Sequence, residues 1–170
     1  MQRIVIITGP PGSGKSTICV KLAERNLKGI VIHSDIIREM IKGGYVFPWL
    51  NTQEAKDQRK LATKNICDIA KNSLPLGFDI FIDDVLPNNN LIEDYKKALG
   101  ADIKFFLLLP SEETLIKRLN ARGEEKGDII FDRAKILHES FSYIKDKIDW
   151  TVIDNSSLTI EETLDIILAK

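Results

Sequence analysis

Apolar residues along this chain fall into two alternating rhythms. Short, nearly unbroken apolar runs occur at residues 4–7, 29–33, 78–84, 104–109 and 150–153. Their length and content of Ile, Val and Phe predict strands buried on both faces. Between them, apolar residues recur at intervals of three and four, as one buried helix face requires. Ile18, Cys19 and Leu22 mark a helix over about 15–26. Ile36, Ile37, Met40 and Ile41 mark one that begins after Ser34-Asp35. Ala55, Ala62, Ile66, Ile69 and Ala70 share a side of a long helix over about 52–73, with Lys56, Lys60, Lys64 and Lys71 on a solvated face and Arg59 at the apolar edge. A further helix ends near Leu99. Ser111 is a candidate cap for a helix carrying Leu115, Arg118, Leu119 and Arg122. Ile130, Ala134, Leu137, Phe141, Ile144 and Ile148 form the most regular stripe, and Thr159-Ile-Glu-Glu162 is a capping box opening the last helix. Strands alternating with helices predict right-handed parallel βαβ units over one domain, 1–170. Ligands in such sheets bind beyond the carboxyl ends of the strands.

The first strand end carries the most specific signal. Gly9-Pro10-Pro11-Gly12-Ser13-Gly14-Lys15-Ser16-Thr17 joins the first strand to the first helix and satisfies G-x-x-x-x-G-K-S. Glycines allow main-chain angles closed to other residues, so successive N–H groups can turn inward around an anion. The helix start adds unpaired N–H groups and a positive dipole end. In this pattern Lys15 reaches the β/γ-phosphates and the Ser16 hydroxyl ligates Mg²⁺.

Composition narrows the partners. The 170 residues carry a formal charge of −1, with 44% hydrophobic and 29% charged residues. That balance suits a cytoplasmic enzyme and disfavours a polynucleotide end as partner, which usually draws a basic surface. No apolar run approaches the ~18 residues of a membrane span. The strand beginning at residue 3 or 4 leaves no room for a leader peptide. Cys19 and Cys67 stand alone on helical patterns and read as reduced core thiols. His33 and His138 have no evident chemical role.

Other strand ends add the remaining groups. Asp35 follows the second strand, as a helix cap, an acid beside an acceptor hydroxyl, or both. Asp83 and Asp84 close the third; Asp83 suits the Mg²⁺ shell, and Asp84 an acceptor contact. An inward Arg59 needs an acid or anion partner. Tyr45, Phe47 and Trp49 pack as a small aromatic cluster or stack on a flat acceptor. Arg118 and Arg122, one turn apart, feed the glycine-bounded loop 123–128, the make-up of a closing lid over about 120–131. The chain has no Asn-Lys-x-Asp guanine motif. Asp84 stands where a hydrolase of this architecture usually has a water-activating Glu.

These pieces resemble the small P-loop kinases of the nucleoside-monophosphate-kinase-like group. They are most similar to chloramphenicol phosphotransferase-like and polynucleotide-kinase-like (AAA_33-type) members, on residues 9–17, Ser34-Asp35-x-x-Arg38, Ile82-Asp83-Asp84-Val85 and the arginine lid. The resemblance implies a three-layer α/β fold, a five-stranded parallel sheet in the order 2-3-1-4-5, ATP and Mg²⁺ as cofactors, and a monomer or homodimer. It implies Lys15, Asp35 and Arg122 as catalytic residues, with residues 9–17, Arg118 and Arg122 on the nucleotide. Asp35, Arg38, Arg59 and Asp84 would face the acceptor, within a segment of about 36–60, and Ser16 and Asp83 would hold the metal. The expected reaction is phosphoryl transfer to a small hydroxyl-bearing molecule. The alternatives are a 5′-hydroxyl polynucleotide or nucleoside kinase, and an ATP-binding regulatory module.

Overall fold

The computed structural model describes residues 3–100, 102–123 and 127–170. Within them β1 (Ile4–Thr8), β2 (Gly29–His33), β3 (Asp79–Asp83), β4 (Ile103–Leu108) and β5 (Thr151–Ile153) form one sheet in the order 2-3-1-4-5. Every pairing is parallel. Helices α1 (Lys15–Glu24), α2 (Ser34–Glu39), α3 (Gln53–Ser73), α4 (Asn89–Leu99), α5 (Glu112–Arg122), α6 (Gly127–Ile144) and α7 (Ile160–Leu168) connect the strands.

The unbroken apolar runs are explained by what covers each face. Ile4 and Ile6 of β1 pack with Ile66, Cys67 and Ala70 of α3 and with Ile92 and Tyr95 of α4. The alternate residues Val5 and Ile7 pack with Ile18, Cys19 and Leu22 of α1 and with Leu164 and Ile167 of α7. Successive strand side chains point to opposite faces, so a strand covered on both sides has no polar position to show. Phe81 and Ile82 of β3, and Phe105 and Phe106 of β4, divide in the same way.

Several boundaries differ from the sequence expectation. α1 stops at Glu24, because the Asn26 side chain turns back to donate to the Leu22 carbonyl at 2.6 Å. Ser34 and Asp35 lie inside α2, whose N-cap is His33, so Asp35 is a first-turn acid rather than the cap. That helix is short, and Ile36 and Met40 point to solvent; of the apolar set expected there, Ile37 joins the core. Trp150 precedes β5 and packs against Phe141 of α6, with ring centroids 5.9 Å apart. Ile148, the last member of the regular stripe, lies beyond the end of α6 and still reaches the core. The capping box forms as written, Thr159 and Glu162 each bonding the other's main-chain N–H. No helix among the described residues is long and apolar enough to cross a membrane.

The register sets the height of the site. Ile7, Asp83 and His33 are laterally aligned across β1, β3 and β2. The next residues in each strand direction therefore emerge at one edge: the glycine loop, Asp84, and the start of α2.

Candidate active site

The loop after β1 folds tightly because glycine occupies the positions that need it. Gly9 and Gly12 have φ of +148° and +83°. A Cβ on Gly9 would sit 2.3 Å from the Leu108 carbonyl oxygen, and one on Gly12 would sit 2.9 Å from that of Leu115. Main chain thus runs where side chains cannot, leaving a cradle of N–H groups at the start of α1. Lys15 Nζ donates to the Pro10 carbonyl at 3.3 Å, which holds it over the loop.

Beside the cradle, Ser16 Oγ donates to Asp83 Oδ2 at 2.5 Å, and His33 Nδ1 lies 3.1 Å from the same oxygen. Burial opposes ionisation of Asp83, but the His33 bond, the Lys15 charge and the Ser16 hydroxyl together hold its carboxyl below the usual range. The bond to Asp83 raises the His33 pKa, against the smaller effect of burial. A hydroxyl and an ionised carboxylate side by side are hard oxygen donors suited to Mg²⁺. Among the described residues no group of three or more acidic, histidine or cysteine side chains could hold a metal alone. Mg²⁺ at this pair would complete its shell with water and phosphate oxygens, as that ion usually does.

A second cluster, around Arg38 and Arg59, is organised by Asp84. Its side chain is 0% exposed. Four donors meet it: Arg38 Nη1 at 3.3 Å, Arg59 Nη2 at 2.7 Å, the Tyr95 hydroxyl at 2.8 Å and the Val85 N–H at 2.9 Å. Arg38 also donates to Ser34 Oγ at 3.2 Å and pairs with Asp35. Burial works against the Arg38 charge, yet the carboxylates of Asp84 and Asp35 keep its pKa above the ordinary value. Asp35, with a side chain 76% exposed, is the member of this network that faces outward.

Two cavities flank the glycine loop. The larger, of about 800 Å³, brings together Pro11 of the loop, Asp35, Arg38, Arg59 and the aromatic residues Tyr45 and Trp49. The smaller, of about 280 Å³, lies between Gly12, Gly14 and Thr17 on one side and Arg118, Arg122 and Asn155 on the other. Asn155 Nδ2 donates to the Ser13 carbonyl at 3.0 Å, while its Oδ1 is buried with no partner among the described residues.

Comparison with known proteins matches this arrangement to a family. The AAA_18 family, described as an AAA domain, matches residues 5–138. The chain belongs to it. This AAA_18 chain is 25% identical to the guanylate kinase of Clostridium tetani over 98% of its own length and 86% of that protein's. Its fold is similar to that of the tunicamycin resistance protein of Deinococcus radiodurans, with a TM-score of 0.74 at 16% identity over 99% and 95% of the two chains. A gluconokinase from Sinorhizobium meliloti 1021 superposes with a TM-score of 0.70 at 18% identity over 98% and 90%. The resemblance to nucleoside-monophosphate-kinase-like P-loop proteins and the three-layer fold are therefore both borne out.

Within the AAA_18 chain several expected residues turn out differently placed. Asp84 is enclosed behind the cavity wall, because β3 ends one residue earlier and turns its side chain toward α2, α3 and α4; it grips Arg38 and Arg59 instead of opening onto an acceptor. Arg118 is not a loose lid cation: it donates to the carbonyls of Ser13 at 3.3 Å and Asn155 at 2.8 Å, tying α5 to the loop and to the segment after β5. Burial and the nearby Arg122 charge lower its pKa. Arg122, at the end of α5, lines the smaller cavity beside it. Residues 124–126 of the expected lid lie outside the described residues. Arg59 has the acid partner its inward position demanded. Cys19 and Cys67 are buried and unbridged, and burial pushes the Cys67 thiol up to about 11.

Sequence reading missed the roles of His33, Tyr95 and Asn155 at this site. His33 was legible in principle as a polar residue ending an apolar strand. Tyr95 and Asn155 carry no local signal, since their partners are 11 and 142 residues away.

Proposed function

We propose that this chain is an ATP- and Mg²⁺-dependent phosphotransferase that moves the γ-phosphoryl group of ATP to a hydroxyl of a small molecule. One observation carries the reading: Pro11 of the glycine loop and Asp35 line the same cavity of about 800 Å³, so a phosphate donor in the loop and an acceptor at Asp35 would share one space. In this reading main-chain N–H groups of residues 9–17 and Lys15 hold the phosphate tail. The nucleobase lies in the smaller cavity, against Arg118 and Asn155. Ser16 and Asp83 would hold Mg²⁺, which when bound neutralises charge on the phosphate oxygens. Asp35 accepts the acceptor hydroxyl's proton as that oxygen bonds to the γ-phosphorus and the bond to the bridging oxygen breaks, leaving ADP. Arg38, fixed from behind by Asp84, orients Asp35. Arg122 supplies positive charge at the transferring group.

Asp84 also weighs against simple hydrolysis. At the position where a hydrolase carries its water-activating carboxylate, this side chain has no exposed surface and every oxygen is engaged. The test is ADP release with a panel of alcohols, with calorimetry of magnesium–ATP alongside. Asp35→Asn is expected to bind ATP like the parent and to lose about 10²–10⁴-fold in acceptor-stimulated release. Equal release from the two proteins would remove Asp35 from the chemistry. Nucleotide uptake with no alcohol raising release would point instead to a regulatory module.

A further inference from the structure

The larger cavity has a cation that its own fold leaves uncommitted. Four cationic side chains, Arg38, Lys56, Arg59 and Arg133, line it against the two carboxylates of Asp35 and Glu39. Asp84 behind the wall offsets one more, so the lining retains a positive surplus. Lys56 is exposed and solvated, so the cation to account for is a more buried one. Arg38 and Arg59 share Asp84. Arg133, a half-buried residue on α6, pairs with no carboxylate among the described residues. Its Nε is buried without a hydrogen-bond partner. Burial lowers its pKa. A partly desolvated guanidinium without a counter-charge is unfavourable unless something supplies one.

The aromatic cluster explains why Arg133 stays in place. Its guanidinium carbon lies 5.2 Å from the centre of the Trp49 ring. Trp49 in turn stacks on Phe47, with centroids 4.5 Å apart and planes 17° from parallel, and Tyr45 meets Phe47 edge-on at 5.5 Å. A guanidinium laid on an aromatic face is held by the ring quadrupole while its N–H edge remains available. Such a fork suits a planar carboxylate or a phosphate, two acceptor oxygens to two donors. Ile130 and Leu137, about one turn to either side of Arg133 on α6, line the same cavity, as does Leu91 of α4.

We propose that Arg133, steadied on Trp49, is an anion subsite of the larger cavity, so that the acceptor is a hydroxyl-bearing molecule with an apolar body and a carboxylate or phosphate of its own. The assignment rests on the phosphotransferase reading for the word acceptor; the anion subsite stands on geometry alone.

The two can fail separately. Phenylacetate, phenyl phosphate and the neutral benzyl alcohol are titrated calorimetrically into the parent protein, Arg133→Met, Arg133→Lys and Lys15→Ala. At least one anionic probe is expected to bind the parent and Lys15→Ala alike, benzyl alcohol not at all. Removing a charge-assisted pair should weaken binding by at least about tenfold in Arg133→Met. Arg133→Lys, which keeps the charge without the fork, should fall between. Which probe binds distinguishes carboxylate from phosphate. Trp49→Leu should also weaken the anion, and it stands in if Arg133→Met does not fold. Binding that survives Arg133→Met overturns the proposal. So does loss in Lys15→Ala of every anionic probe that the parent binds, which would put the anion in the glycine loop. In a parallel ADP-release assay, phenyllactate is compared with 3-phenylpropane-1,2-diol. Equal stimulation by acid and diol sinks the subsite and leaves the phosphotransferase intact. Anion binding with no stimulated release by any alcohol leaves the subsite and removes the phosphotransferase.

Discussion

Residue 84 shows how one buried carboxylate can organise three helices from behind a cavity wall. Asp84 is contacted from α2, α3 and α4 at once. Deleting one partner of a buried ion pair leaves the other charged and unsolvated, which costs about 3–5 kcal/mol. Asp84→Ala should therefore lower the unfolding free energy measured by denaturant titration by that much and loosen Arg38 and Arg59 together. Tyr95→Phe, which removes a single neutral donor, should lose only about 1 kcal/mol. Equal, small losses in both variants would mean that the network does not hold these helices. The pair of Asp83 and His33 gives a pH prediction. Asp83 is depressed in the fold, so its contribution is present above its unfolded value of about 4 and is lost as pH falls through the folded one. His33 is raised, so its contribution is complete below about 6.5 and fades as pH rises through the folded value. The two overlap in a weakly acidic window. Thermal midpoints of the parent and His33→Asn should differ most near pH 5–6 and converge as pH rises through the raised His33 value. A pH-independent gap would show that His33 acts by packing alone.

At the scale of the elements, the strongest local signals are the helix starts. Thr52, Asn88, Ser111 and Thr159 each accept a bond from an N–H of the first turn that follows. Thr159 does so within a reciprocal capping box, at the front of the helix whose Leu164 and Ile167 join the core beside α1. Thr159→Ala should lower stability by about 1 kcal/mol, and Thr159→Asn should keep most of it; chemical denaturation of the three proteins measures both. Equal stability of Thr159→Ala and the parent would show that the box is redundant with the packing of Leu164 and Ile167. Element ends were less legible than starts. The early stop of α1 after Glu24 goes with the Asn26 side chain folding back onto main chain, and α2 starts at Ser34 with no side-chain cap, so periodicity records neither.

For the whole molecule, the sequence alone determined the layer order in outline. Strands covered on both faces must be apolar throughout, and helices on a sheet must be striped, so the two rhythms can be read without coordinates. It also determined the phosphate cradle, because glycine spacing is a local property of the main chain: Gly9, Gly12 and Gly14 all have the positive φ that such a loop requires. Only the tertiary structure decided which charges meet. Asp84 and Arg59 are 25 residues apart, Arg118 and Ser13 are 105 apart, and Trp49 and Arg133 come from different connections of the fold. A charge's partner is set by distance in space, and burial by what packs over it. Both emerge only when the sheet closes, and no spacing along the chain records them.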